Sequence, residues 1–124
     1  LTKLLAIAVG GAFGALLRYG ASNGVHNLFG RGFPYGTLFV NVMGSLAMGF
    51  LYVILLERSI LGDEWRAAIQ VGLLGAFTTF STFSIETMLL LENGEPQKAL
   101  MNVVVSIGLC LLAVWIGIVM GRQL

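Results

Sequence analysis

The chain has 124 residues, of which 57% are hydrophobic and only 10% charged, and its mean hydropathy is +0.91. A soluble domain carries about 25% charged residues, so this chain is solvated mainly by lipid, and a formal net charge of +1 is too small to argue for a nucleic-acid partner. One cysteine, Cys110, rules out an intramolecular disulfide, and one histidine, His26, has no companions at metal-ligand spacing.

About 20 apolar residues cross a bilayer core, and the stretches 4–25, 35–56, 67–91 and 99–121 qualify. The expected fold is all-α, a single four-span membrane domain over 1–124. Lys3 ahead of an apolar run resembles a signal peptide. The run continues through Gly10-Gly11 and past Arg18 without an obvious small-residue cleavage site, and it is read as a retained first span. Gly10 and Gly14 stand in GxxxG spacing, which lets helix backbones approach in lipid. Arg18 is a charge inside that span and a functional-site hypothesis by default. It could also snorkel to an interface, make a structural contact, or pair with Glu86. His26 falls in the following polar link and reads as solvated or interfacial.

The second span has no charge. Thr37, Asn41 and Ser45 recur at four-residue spacing and share one helical face. Ser45 taken alone is expected to bond its own backbone one turn back. An amide such as Asn41 is costly in lipid unless it bonds another helix or water. It reads either as interhelical glue or as an NH₂ donor facing an anion pathway. Gly44, Ser45, Met48 and Gly49 add a small-residue surface.

The third span holds Gly75-Ala76-Phe77-Thr78-Thr79-Phe80-Ser81-Thr82-Phe83-Ser84, a hydroxyl-rich stretch in mid-membrane. Hydroxyl and β-branched residues support a continuous helix poorly. At membrane depth the backbone leaves the helix only where protein or a water-filled cavity surrounds it. The stretch therefore predicts a helix break and a site for something small that crosses. Gly72, Gly75 and Ala76 suit close packing, while Gly75, just before the break, is equally suited to unusual dihedrals. Phe80 and Phe83 can share a face if helix resumes there. They read as core packing, or as positive ring edges turned toward an anion, with Asn41, Ser81 and Thr82 as neutral donors. Glu86 would repel an anion deep in such a path, so a supporting role fits it better.

The fourth span carries a stripe of Asn102, Ser106 and Cys110. Short links make neighbouring helices antiparallel, with both termini on one side. Lys3, Arg58, Arg66 and Arg122 lie on the terminal side, against Arg31 and Lys98 on the other. This weak bias fits ordinary insertion with the termini inside, and it also fits dual topology. Four helices scarcely enclose a pore, so a homo-oligomer, most simply a symmetric dimer, is expected.

Three blocks stand together: residues 10–19 (GGAFGALLRY), residues 36–44 (GTLFVNVMG) and the stretch 75–84. With four spans at this length, the chain closely resembles the Fluc (CrcB) family of bacterial fluoride channels over essentially its whole length. The resemblance implies a passive, fluoride-selective channel that exports the ion from the cytoplasm across the bacterial plasma membrane. It implies an antiparallel dual-topology homodimer with two fluoride pathways. It implies a structural Na⁺ at the dimer centre, held by the backbone carbonyls of Gly75 and Thr78 from both protomers, and no organic cofactor. By the same match Phe80 and Phe83 are the pore phenylalanines, Asn41 donates to fluoride, and Ser81 and Thr82 lie beside the path. Thr37 and Ser106 belong to a polar track, Glu86 lies near it, and Arg18 stands by the aqueous entrance. Cys110 departs from the small hydroxyl expected on that track; a thiol hydrogen-bonds more weakly.

Small multidrug exporters share the four-span, dual-topology plan. That chemistry needs a membrane carboxylate, typically in the first span, where this chain has Arg18 and no acid. A structural subunit would explain the glycines and leave the hydroxyl-rich break unexplained. No nucleophile–base arrangement suggests an enzyme.

Overall fold

The computed structural model describes residues 1–124, and four of its helical stretches are long and apolar enough to cross a membrane: Thr2–Phe29, Tyr35–Glu57, Asp63–Glu92 and Pro96–Gln123. The first, second and fourth are α1, α2 and α5. The third is interrupted, so that its first part, 63–77, is α3 and its second, Phe80–Glu92, is α4. There are no strands.

Every helix extends beyond the apolar run that announces it. Polar residues at the ends keep helical backbone bonds while their side chains reach the headgroup zone. α1 runs on to Phe29 and stops at Gly30, whose φ of 85° lies in the left-handed region and whose N–H donates to the His26 carbonyl at 2.7 Å. His26 is therefore no solvated link residue. It sits in the last turn of α1, buried, and its ring stacks into the space that the missing side chain of Gly36 leaves open. α5 opens on Pro96, which has no N–H to leave unpaired in a first turn.

Glycines set the helix spacing. A Cβ at Gly10 would strike the Ala68 carbonyl, and one at Gly14 the Leu73 carbonyl, so α1 and α3 touch backbone to backbone. Gly49 and Gly117 do the same between α2 and α5, against the carbonyls of Val114 and Leu46. Two segments, Tyr52–Glu57 at the end of α2 and Ala67–Leu74 in α3, wind as π-helix. Such winding is rare and widens the turn; in α3 it covers the stretch that lies on the α1 glycines.

The expected break lies at two residues. Thr78 (φ −91°, ψ 162°) and Thr79 (φ −154°, ψ 121°) are extended, and helix resumes at Phe80. Gly75 is not the point of departure. Its φ of −61° and ψ of −38° are helical, and a Cβ there would find only the Gln70 carbonyl, at 3.7 Å. The break also changes neighbours: α3 packs along α1, whereas α4 packs on α5.

Candidate functional site

The break is pinned by one side chain. In an unbroken helix the Thr79 N–H would bond the Gly75 carbonyl. Here it donates to Asn41 Oδ1 at 2.7 Å, and Asn41 Nδ2 returns a bond to the Thr79 carbonyl at 2.9 Å. This two-point contact makes Asn41 interhelical glue, and it also fixes the amide's orientation. The oxygen faces a backbone donor, one N–H is used, and the other remains open. Thr78 closes the upstream half, its N–H and its hydroxyl both donating to the Leu74 carbonyl at 3.1 Å. Thr79 opens the downstream half as the N-cap of α4, its Oγ1 accepting from the Thr82 N–H at 3.2 Å. The Gly75 carbonyl has thus lost its helical donor, and no side chain donates to it or to the Thr78 carbonyl.

Beside Asn41 lies a groove of about 410 Å³, whose wall includes Ser45, Phe80, Phe83, Ser106 and Cys110. Ser45 makes no bond to its own backbone and lines this groove instead. The two phenylalanine rings meet as expected, their centroids 5.4 Å apart and tilted by 41°. Their burial differs sharply: Phe83 is 8% exposed and Phe80 77%. The fourth-span stripe is partly consumed internally. Thr87 donates to the Phe83 carbonyl at 2.7 Å, Asn102 Nδ2 to Thr87 Oγ1 at 2.9 Å, and Ser106 to Asn102 Oδ1 at 3.3 Å. Ser106 thus spends its proton on Asn102 and is also part of the groove wall, with Cys110 half-buried on the same wall.

A second cavity of about 280 Å³ lies between α1, α2 and the break, lined by Arg18, Ser22, Asn23, Thr37, Thr79 and Thr82, among others. Arg18 makes no ion pair, so the possible pairing with Glu86 does not occur; its side chain lines this chamber, whereas Glu86 belongs to α4, which packs on α5. Glu86 Oε1 is buried without a hydrogen-bond partner in the protomer. Ser81 is exposed at the start of α4. The structure thus gathers Asn41, Phe80, Phe83 and Ser106 at the groove and Arg18, Thr37 and Thr82 at the chamber. Ser81, Glu86 and Gly75 line neither. Sequence reasoning missed Thr79, although a hydroxyl residue immediately before a resuming helix is an N-cap signal.

Apart from Arg18 and Glu86, the formal charges lie at the helix ends and in the links. Beyond the apolar runs, a hydrogen bond from Arg122 holds the Glu57 carboxyl below its ordinary pKa, and one from Lys3 (2.8 Å) does the same for Asp63. These ion pairs are exposed and tie helix ends together, and none of their residues lines either cavity.

Residues 5–118 match the family described as CrcB-like protein, Camphor Resistance (CrcB). The chain belongs to the CrcB family. It is 57% identical over 122 residues to a protein of Methylococcus capsulatus named fluoride-specific ion channel FluC, covering 98% of this chain. The same name is carried by a Shewanella amazonensis protein, 56% identical over 94% of the chain, and by a Geobacter sulfurreducens protein, 48% identical over 100% of it. The chain spans 54% of the Methylococcus relative's length, 94% of the Shewanella protein's and 100% of the Geobacter protein's. The CrcB match takes in both cavities and the broken third span.

Proposed function

We propose that this chain is a passive fluoride channel and not an enzyme, active as an antiparallel dual-topology homodimer with two fluoride pathways in the bacterial plasma membrane. The observation that carries this reading is the fixed Asn41 amide: with Oδ1 turned to the Thr79 N–H and one amide N–H given to the Thr79 carbonyl, the second amide N–H is left open, at a groove walled by Phe80 and Phe83. Positive ring edges and neutral donors attract a small anion without the tight grip of a full charge, and a conducting site must also release its ion. Relatives carrying the fluoride-channel name support the choice of anion.

In this reading Arg18 draws fluoride into the entrance chamber, where Thr37 and Thr82 offer hydroxyls, and Ser81 lies beside the path. The ion passes Asn41 and the ring edges of Phe80 and Phe83, and continues along the side that includes Ser106. Glu86 stands by as a supporting group. Fluoride that enters a cell as the neutral acid ionises inside and leaves through the channel, which relieves toxicity.

The dimer rests on what one protomer leaves uncovered. Gly75, Phe80 and Ser81 are exposed at the break, with a backbone carbonyl short of its donor. Facing lipid, an unsatisfied carbonyl costs several kcal/mol, and a second copy would cover the break. The carbonyls of Gly75 and Thr78 suit a structural Na⁺, because oxygen ligands released from a helical ladder need a positive partner. When bound, the cation would raise the local potential for anions. Lys and Arg bias between the two sides is weak enough to permit both insertions.

Purified protein in liposomes loaded with fluoride and chloride tests the function, with an ion-selective electrode for each. Fast fluoride loss on adding a potassium ionophore, with chloride retained, is the expected result. Retention of fluoride by a folded, inserted dimer would overturn the reading.

A further inference from the structure

Thr79 lines both the groove at Asn41 and the chamber at Arg18, and none of the other residues named in either wall is common to the two. Its side chain is buried, 8% exposed, in the middle of the hydroxyl cluster. Thr79 Oγ1 accepts from the Thr82 N–H at 3.2 Å, donates to Thr82 Oγ1 at 3.0 Å, and lies 3.5 Å from Ser81 Oγ. A hydroxyl has one proton and two lone pairs. The proton of Thr79 is spent on Thr82 Oγ1, one lone pair on the Thr82 N–H, and the other is within reach of Ser81. Thr82, which accepts from Thr79, therefore keeps its own proton, and that proton meets no acceptor in the chain. Thr82 is itself part of the chamber wall.

We propose that Thr79 is the positioning residue at the hand-over between the two cavities: its hydroxyl orients Thr82 as an open donor to the anion. The proposal rests on the fluoride reading above. An anion leaving Arg18 must pass this partition to reach Asn41. Without the Thr79 proton nothing orients the Thr82 hydroxyl, which can turn its own proton to a backbone carbonyl one turn back, and the donor facing the chamber is lost. A capping residue alone would act through the Thr82 backbone N–H, so the hydroxyl-to-hydroxyl contact separates the two roles.

The test is fluoride efflux from liposomes by wild type, Thr79→Val, Thr79→Ser, Thr82→Val and the Thr79→Val/Thr82→Val double variant, each checked for dimer by size-exclusion chromatography. Losing one oriented donor slows efflux by roughly tenfold. Thr79→Val is expected to show that loss, Thr79→Ser to retain wild-type flux, and the double variant to be no slower than Thr82→Val alone, because both changes remove one coupled unit. Wild-type flux in Thr79→Val overturns the proposal. So does a double variant whose losses multiply, since Thr79 would then act as a cap alone. If Thr79→Val does not fold, Thr79→Asp keeps the cap acceptor and removes the donated proton; a folded Asp variant that conducts like wild type is equally fatal. Fluoride retained by wild type sinks the functional reading and this proposal together. Wild-type efflux with an unaffected Thr79→Val sinks the proposal alone.

Discussion

The two halves of the third span come from one apolar run and behave differently. In α3, glycine and alanine dominate the contact face, the backbone winds wide, and the helix lies against α1 so closely that carbonyls occupy the space of absent side chains. In α4 the winding is ordinary, hydroxyls cap and bridge the first turn, and the helix packs on α5 with a polar chain running through Thr87, Asn102 and Ser106. The upstream half is held by shape and the downstream half by hydrogen bonds. The junction belongs to neither, since Thr78 and Thr79 are kept extended by an amide from α2. Lipid imposes this division: where a helix stops in a membrane, each freed backbone group needs a named partner.

Substitutions in the two halves should therefore fail in different assays. The largest loss is expected for Asn41→Asp. The carboxylate cannot donate to the Thr79 carbonyl, and it places a negative charge where the amide offered a proton. Fluoride efflux should drop by about 100-fold or more, and normal throughput from a folded dimer would remove Asn41 from the pathway. Phe83→Ile and Phe80→Ile come next. Each keeps an apolar group and deletes a ring edge, so flux should fall by roughly tenfold or more while the dimer persists on a sizing column. Unchanged flux in both variants would end the ring-edge mechanism.

Upstream, Gly14→Leu should spare no function because it spares no fold. Its Cβ enters the Leu73 carbonyl, overpacking of this kind costs about 1–3 kcal/mol or more, and the yield of monodisperse protein should collapse. Gly75→Leu sharpens the contrast. The protomer has room for it, with the Gln70 carbonyl 3.7 Å from the new Cβ, so secondary structure measured by circular dichroism should be intact. The proposed partner would meet the side chain, and crosslinking should report fewer dimers. The smallest effect is expected at the polar ends. Asp63→Asn should scarcely move the melting temperature at neutral pH, since the Lys3–Asp63 pair is exposed. In wild type the folded pKa of Asp63 lies below its ordinary value of 3.8. What the pair contributes is thus present above that value and is lost as pH falls through the lowered one. A melting series from about pH 5 to about pH 3 should show wild type converging on the Asn variant.

Hydropathy alone made the four spans legible, and the short links made them antiparallel neighbours. The break was legible too, because five hydroxyls among phenylalanines in mid-span are a poor helix in lipid. Composition could not say at which residue the backbone leaves the helix. Gly75 has the freedom to do so and stays helical, while Thr78 and Thr79, β-branched, accept extended dihedrals readily. Spacing placed Asn41 on a polar face and left glue and donor as alternatives. The fold makes the amide glue through one oxygen and one proton, and leaves a second proton open.

What the sequence determined by itself, then, is everything that follows from transfer into lipid: the number of spans, their small-residue surfaces, the location of the break to within a few residues, and the side chains too polar to be idle there. What only the tertiary structure decided is which partner each of those polar groups takes. Arg18 and Glu86 remain apart, His26 is buried against Gly36, and Thr79 stands between two cavities. The reason is physical: transfer free energy adds up along a chain, residue by residue, whereas a hydrogen bond needs two atoms about 3 Å apart, and residues such as Asn41 and Thr79, 38 positions distant, are brought to that separation only by the packing of helices.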